Sequence, residues 1–188
     1  SNQYLTVKDQ EDDSFSRYYD PDFPRKKKKK IRAVQIKKGG KGYEELQINE
    51  ASMSVKELLG IAREKKVSMS VLLTAAFICA IHEEMSRMQE KPVILMVPVN
   101  LRKIFPSDSM LNFFGYIEPG YQFGGGKDSF EDVLEAVKLY FQENLSKEHM
   151  AGRMNELIAI EKHKILKWAP LELKNRCIRA GAKMAAQE

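Results

Sequence analysis

The stretch that most restricts how this 188-residue chain can fold is "PVILMVPV", residues 92–99, which carries no charged or amide side chain. It has the length of a strand, and its unbroken apolarity predicts a strand covered on both faces, as in α/β sheets. The run ends at Asn100 and Arg102, passes through a Pro-Ser-Asp turn, and returns through Asn112, Phe113, Phe114 and Gly115. Polar groups at the mouth of a buried strand cost free energy unless something pairs with them. Two readings follow. In the first these residues hold the turn: Arg102 pairs with Asp108, Asn112 bonds the turn backbone, and the two phenylalanines pack in the core. In the second they line a site.

The rest of the chain supplies layers for that strand. Residues 1–24 are polar, hold two prolines and read as an irregular arm, so the domain is expected to begin near residue 31 after an arm of residues 1–30. "KKIRAVQI" and "YEELQINE" bracket "KKGGKG" and read as a hairpin or two neighbouring strands. Ser54 followed by Glu57 is a capping-box pattern opening a helix with Val55, Leu58, Leu59 and Ala62 on one face. A second helix is expected from Ser70; apolar on nearly every side from Val71 to Ile81, it should be central and buried. "NFFGYIEPGYQF" is the next strand candidate, where Gly115 permits a bulge or a close backbone approach. Asp128 or Ser129 should cap one long helix from Phe130 to Met150, with Phe130, Val133, Leu134, Val137 and Phe141 on its buried face. Helical pattern resumes through "RMNELIAIEKHKIL", breaks at "WAP", and restarts at Pro170. This order implies an α/β or α+β layered fold, a mixed sheet packed with helices. The strands are few for so many helices, and no closing strand follows the last one, so part of a larger fold is expected.

Charge is local rather than global. The chain carries 31 Lys or Arg against 26 Asp or Glu, a net of +5. Residues 25–42, "RKKKKKIRAVQIKKGGKG", hold ten of the basic residues and no acid, leaving 21 basic against 26 acidic residues elsewhere. Such a cluster could meet nucleic acid, an anionic membrane surface or the phosphates of a cofactor. The run lacks the interleaved aromatics that stack on bases, and a solvated entry into a strand accounts for it. No apolar run reaches the length of a membrane span, and no signal peptide is visible. Cys79 and Cys177 read as free thiols of a reducing cytoplasm.

Familiar catalytic signatures are missing. "GGGKDS" lacks the glycine spacing of a phosphate-binding loop. His82, His149 and His163 show no zinc-ligand spacing, none is followed four residues later by an acid, and all three read as solvated helix residues.

One set of pieces occurs together and in order: "PVNLRKIFPS" followed by "NFFG". This resembles the alcohol acetyltransferases, CoA-dependent acyltransferases similar to chloramphenicol acetyltransferase and peptide-synthetase condensation domains. "MSVKELLGIAREKKVSMSVLLTAAFICAIHEEM" looks like the helix pair preceding that strand in the family, and "EHMAGRMNELIAIEKHKILKWAPLELKN" like the helices after it, so the likeness spans most of residues 30–178. It implies a partial chloramphenicol acetyltransferase-like fold for residues 31–188, in which two similar halves enclose a tunnel for acyl-CoA and an alcohol. It also implies acetyl-CoA or another acyl-CoA as cosubstrate, and no metal. Asn100 and Arg102 would fix the crossover between the halves, and Asn112, Phe113, Phe114 and Gly115 would form the tunnel wall near the CoA arm. The family base is the second histidine of His-His-x-x-x-Asp-Gly, a motif these 188 residues do not contain. The expectation is therefore the middle and second half of an acyltransferase, without a catalytic residue of its own and inactive until joined to an N-terminal half. Exposed apolar surface should then favour self-association, or exchange of residues 1–50 between copies. Two other readings are a non-catalytic interaction module on the same fold, and, less favoured, a nucleic-acid binder acting through residues 25–42.

Overall fold

The computed structural model describes residues 11–24, 32–34, 50–85 and 91–161, with positions 175, 176 and 179. Most of the basic cluster, most of the hairpin expected before residue 49, His163, Cys177 and most of the helix expected after Pro170 lie outside the described residues. Two compact units are present, one drawn from Ser1–Ile31, Met96–Glu118 and Phe141–Glu188, the other from Arg32–Leu95 and Pro119–Tyr140. Helices and small antiparallel strand pairs together make a mixed α+β content.

The first described helix of the second unit is α2, Val55–Glu64; the short α1, Ser14–Arg17, belongs to the first unit. Ser54 caps α2, its hydroxyl accepting from Glu57 N at 3.4 Å as the sequence pattern requires. The helix closes with Lys66 in the left-handed region, φ 53°, while Val67 N donates to Ala62 O and Lys66 N to Arg63 O. That pair of bonds is a Schellman cap. α3 runs Met69–Glu84, capped by Ser68 rather than starting at Ser70. It turns by 90° from α2. Its buried residues, Val71, Leu72, Thr74, Ala75 and Ile78, make one face, whereas Phe77 is 61% exposed. The expectation of a helix buried on all sides is therefore corrected. Apolarity all round does not bury a helix whose described neighbours cover one side. Strand β1, Val93–Ile94, pairs antiparallel with β4, Gly120–Tyr121, in the register Val93 to Tyr121. Val34 N donates to Pro92 O at 3.0 Å.

Helix α4, Phe130–Asn144, is capped by Ser129, whose Oγ accepts from Asp132 N while Asp132 Oδ2 accepts from Ser129 N. Val133, Leu134, Val137 and Phe141 are buried and Phe130 partly so, as the periodicity predicts. Lys65 Nζ reaches Glu131 at 2.9 Å and holds that carboxyl below its ordinary range. The single long helix expected to Met150 is instead two. α4 stops at Asn144, and α5, Lys147–Glu161, restarts after Ser146, whose Oγ accepts from His149 N and donates to Glu143 O. A serine hydroxyl competes with the helix ladder for backbone partners, and here it serves as a new cap.

In the first unit β2, Val97–Asn100, pairs antiparallel with β3, Phe114–Ile117, in the register Val97 to Ile117 and Asn100 to Phe114. The strand expected to be covered on both faces is not. Val97 and Val99 are half-buried, Pro98 and Asn100 are exposed, and Met96 is 68% exposed. With one partner among the described residues and a proline that cannot donate to a second, this strand has the character of an edge. The described strands likewise form two antiparallel pairs rather than one mixed sheet. Leu101, Phe105, Phe113, Ile117, Phe141, Met150, Met154 and Ile158 make the core of this unit.

Within residues 11–24, otherwise turns and irregular backbone, Ser14–Arg17 form the short helix α1. Asp13 caps α1 by accepting from Phe15 N. Phe15 packs edge-on to Phe113 with ring centroids 5.0 Å apart, and Tyr18 lies over Phe105 and Phe113 at 5.2 and 6.1 Å. The polar composition of this segment conceals two aromatic side chains spaced three apart, the spacing of one helical face.

Candidate functional site

Six residues were singled out above, and the hairpin of β2 and β3 in the first unit positions them all. Asn100 caps a 3-10 turn, Leu101–Lys103, its Oδ1 accepting from Arg102 N at 3.1 Å. Arg102 reaches across the loop and donates from Nη2 to Ser109 O at 2.7 Å and Leu111 O at 2.5 Å. Its partners are backbone carbonyls, not the Asp108 carboxylate. Ser107 and Ser109 close the loop further, their hydroxyls accepting from the amides of Ser109 and Leu111. Carbonyls inside a tight loop have few other donors, and a charged guanidinium with several N–H groups can satisfy two at once.

Beyond the loop the chain alternates as a strand must. Phe113 is 1% exposed and Phe114 55% exposed, so one ring lies in the core and the other outside. Asn112 is exposed. Gly115 is buried under Leu101 and Met150: a Cβ there would lie 2.9 Å from Met150 Cε and 3.3 Å from Leu101 Cδ2. The close approach expected of Gly115 is present, and an unbroken register removes the need for a bulge. The six therefore divide. Phe113 and Gly115 face inward, Asn100 and Phe114 are cross-strand partners on the outer face, Asn112 is exposed, and Arg102 binds the loop.

A separate cleft of about 280 Å³ in the same unit lies beside α5, lined among others by Phe23, Glu143, Glu148, His149, Arg153 and Glu156. Arg153, its side chain 10% exposed, donates to Glu118 Oε2 at 2.9 Å and places its guanidinium 4.4 Å from the Tyr116 ring centre. Burial pulls this guanidinium down, and its interactions with Glu118 and then Tyr116 together more than reverse it, so it stays a cation. His149, read from sequence as solvated, is half-buried here. The signal that could have found the cleft is the spacing of His149, Gly152, Arg153 and Glu156, one helical face interrupted by a glycine that makes room for Phe23.

In the second unit His82 stacks on Phe123, rings 3.7 Å apart and 2° from parallel, instead of standing in solvent. Cys79, a free and half-buried thiol one turn earlier on α3, is pushed above its ordinary value by burial and then by the Glu83 charge. A thiol held protonated is a poor nucleophile.

Among the described residues no group of three or more His, Cys, Asp or Glu is placed to hold a metal ion. No single described helix is long and apolar enough to cross a membrane. No family model matches the sequence, and neither a curated protein nor a solved structure matches the chain.

Proposed function

We propose that this chain forms part of an alcohol acetyltransferase, a CoA-dependent enzyme that moves an acyl group, acetyl foremost, from acyl-CoA to a small alcohol. One observation supports the reading above others. The stretch that carries the resemblance, residues 97–117, is a single interlocked hairpin in which Asn100, Arg102 and Gly115 each do something another residue type would do poorly. Asn100 caps, Arg102 bonds two carbonyls, and Gly115 admits Leu101 and Met150.

In the reaction the alcohol oxygen attacks the thioester carbonyl carbon, a base removes the alcohol proton, and the C–S bond breaks to release CoA thiol. A positioned base of this kind supplies about 10²–10⁴-fold. These 188 residues contain no His-His-x-x-x-Asp-Gly. In this reading they build the hairpin and channel wall, and the base comes from a segment that carries the motif.

The test follows free thiol released from acetyl-CoA with a panel of short alcohols, using this chain alone and the natural reading frame that contains it. Release by the frame alone is expected. Release by neither, with the motif present in the frame, would overturn the reading. Release by the 188-residue chain would move the base to His82, His149 or His163.

A further inference from the structure

Two rings in the second unit meet in an arrangement that neutral aromatics avoid. His82, near the end of α3, and Phe123, two residues past β4, lie 2° from parallel with centroids 3.7 Å apart. At that separation parallel rings sit almost squarely face to face. Two neutral π systems in such a sandwich oppose like quadrupoles, and offset or edge-on contacts are preferred. Tyr121 makes the preferred kind with the same Phe123, at 5.0 Å and 67°. A positive charge over the ring face reverses the sign, because the face is the negative part of the quadrupole. Imidazole is the side chain that ordinarily gains such a charge between pH 5 and 8. The contact therefore suits the charged ring better than the neutral one.

What the stack holds is a loop. Phe123 is half-buried, whereas residues 122 and 124–129 are exposed. The backbone turns through Gly124 at φ 95° and Gly126 at φ 79°, and a Cβ at either would stand in open space. Gly124 N donates to both carboxylate oxygens of Asp128, at 3.0 and 3.1 Å, and Tyr121 Oη donates to Lys127 O. Those bonds shape the loop and tie it to β4, and Phe123 ties it to α3. Around the stack, among the described residues, stand Cys79 and Glu83 on α3, Lys91 before β1, Tyr121 on β4, Lys127 and Asp128 in the loop, and Asp132 on α4. Three carboxylates against two ammonium groups nearly balance, so the ring face decides the sign.

We propose that His82 and Phe123 form a pH-sensitive latch, which holds the loop of residues 122–129 against α3 when the imidazole is protonated and frees it as the proton is lost. The closed loop binds the proton more tightly than the open loop. The hold is therefore fullest at low pH and weakens as pH rises through the imidazole range. A cation over a partly exposed ring changes the ratio of closed to open loop by about two- to fivefold. The latch does not depend on the acyltransferase reading.

The test nicks the full chain with proteinase K at pH 5.5 and at pH 8.0. Cleavage within residues 122–129 is followed by mass spectrometry and divided, at each pH, by the rate on a free peptide of the same sequence. The normalised rate is expected to rise about two- to fivefold from the lower pH to the higher. His82→Gln removes the charge, and Phe123→Leu removes the ring face while keeping apolar bulk. Each should cleave at the faster rate already at pH 5.5 and lose most of the pH dependence. A double-mutant cycle on denaturant unfolding reads the coupling of the two rings, which should favour the folded chain about two- to fivefold more at pH 5.5 than at pH 8.0. A normalised rate that is flat or falls with pH overturns the latch, as do variants that keep the wild-type dependence or a coupling no larger at pH 5.5. Should a variant not fold, the wild-type rates decide alone: a rise supports the latch, and a flat or falling profile overturns it.

Discussion

A methyl group added at Gly115 would meet the flexible tip of Met150 at 2.9 Å, whereas one added at Gly120 would meet Val93 O at 2.8 Å and Ile94 Cγ1 at 2.7 Å. A methionine tip can turn aside; a strand carbonyl paired in a two-residue ladder cannot. We therefore expect Gly115→Ala to destabilise the chain by about 1 kcal/mol and Gly120→Ala by about 3 kcal/mol, read from denaturant midpoints at unchanged slope. Cys79 gives the residue-scale pH prediction. Its folded pKa lies above the ordinary thiol value, first by burial and then by Glu83. The folded chain thus binds the proton more tightly than the unfolded chain does. This contribution to stability is full below the unfolded value and is lost as pH rises through the folded one, above about 9. Iodoacetamide labelling of Cys79 should accordingly lag a model thiol, and Glu83→Gln should move its pH profile downward; an unchanged profile would remove Glu83 as a cause. Part of this is legible in the sequence. Gly115 is conspicuous in the sequence because glycine in a strand marks a close approach, but its partner Met150 lies 35 positions away and no local rule names it.

At the scale of elements, local bonding rules performed well and burial rules less so. Ser54 and Ser129 cap their helices through bonds spanning three residues, the distance over which sequence pattern is direct. Ser146 carries the same signal, yet apolar periodicity continues across it and hides the break between α4 and α5. The end of α2 invites a test. Lys66 occupies the left-handed position of a Schellman cap at φ 53°, a conformation that costs a residue with a Cβ and suits glycine. Lys66→Gly should raise stability by about 0.5–1 kcal/mol, the left-handed penalty less glycine's extra unfolded-state freedom. A lower melting temperature for this variant would mean that the lysine side chain contributes contacts exceeding that strain. Strand β2 shows the opposite case. Its run of apolar residues is as clear as any in the chain, and Met96 and Pro98 are nevertheless exposed.

For the whole molecule, charge is segregated along the chain, and the proposed acyl-CoA reaction gives that segregation a consequence. CoA is polyanionic, and ten basic residues without an acid in residues 25–42 would draw it in over distances comparable to the screening length. In the reading frame that shows activity, replacing Lys26–Lys30 by alanine should raise the KM for acetyl-CoA by about tenfold at low salt, leave kcat unchanged, and abolish most of the salt dependence. A KM that ignores both salt and substitution would assign the cluster elsewhere. Nucleic-acid binding that collapses in the same variant and falls steeply with salt would favour that alternative.

What the sequence determined by itself is what neighbouring residues decide among themselves: helix starts at Ser54 and Ser129, the buried stripe of α4, the turn between Arg102 and Asn112, and a mixture of helices and strands. Each rests on hydrogen bonds or periodicity within a few residues. What the tertiary structure decided is which apolar surfaces find cover. Phe113 is buried because Phe15 and Tyr18, nearly a hundred residues earlier, lie over it, while the adjacent Phe114 and the equally apolar Phe77 remain outside. Arg102 was expected to seek a carboxylate and instead bonds two carbonyls that only the folded loop brings within its reach. Hydrophobicity states that a side chain gains from burial, but it is non-directional, and the partner that buries it is chosen by the path of the chain as a whole.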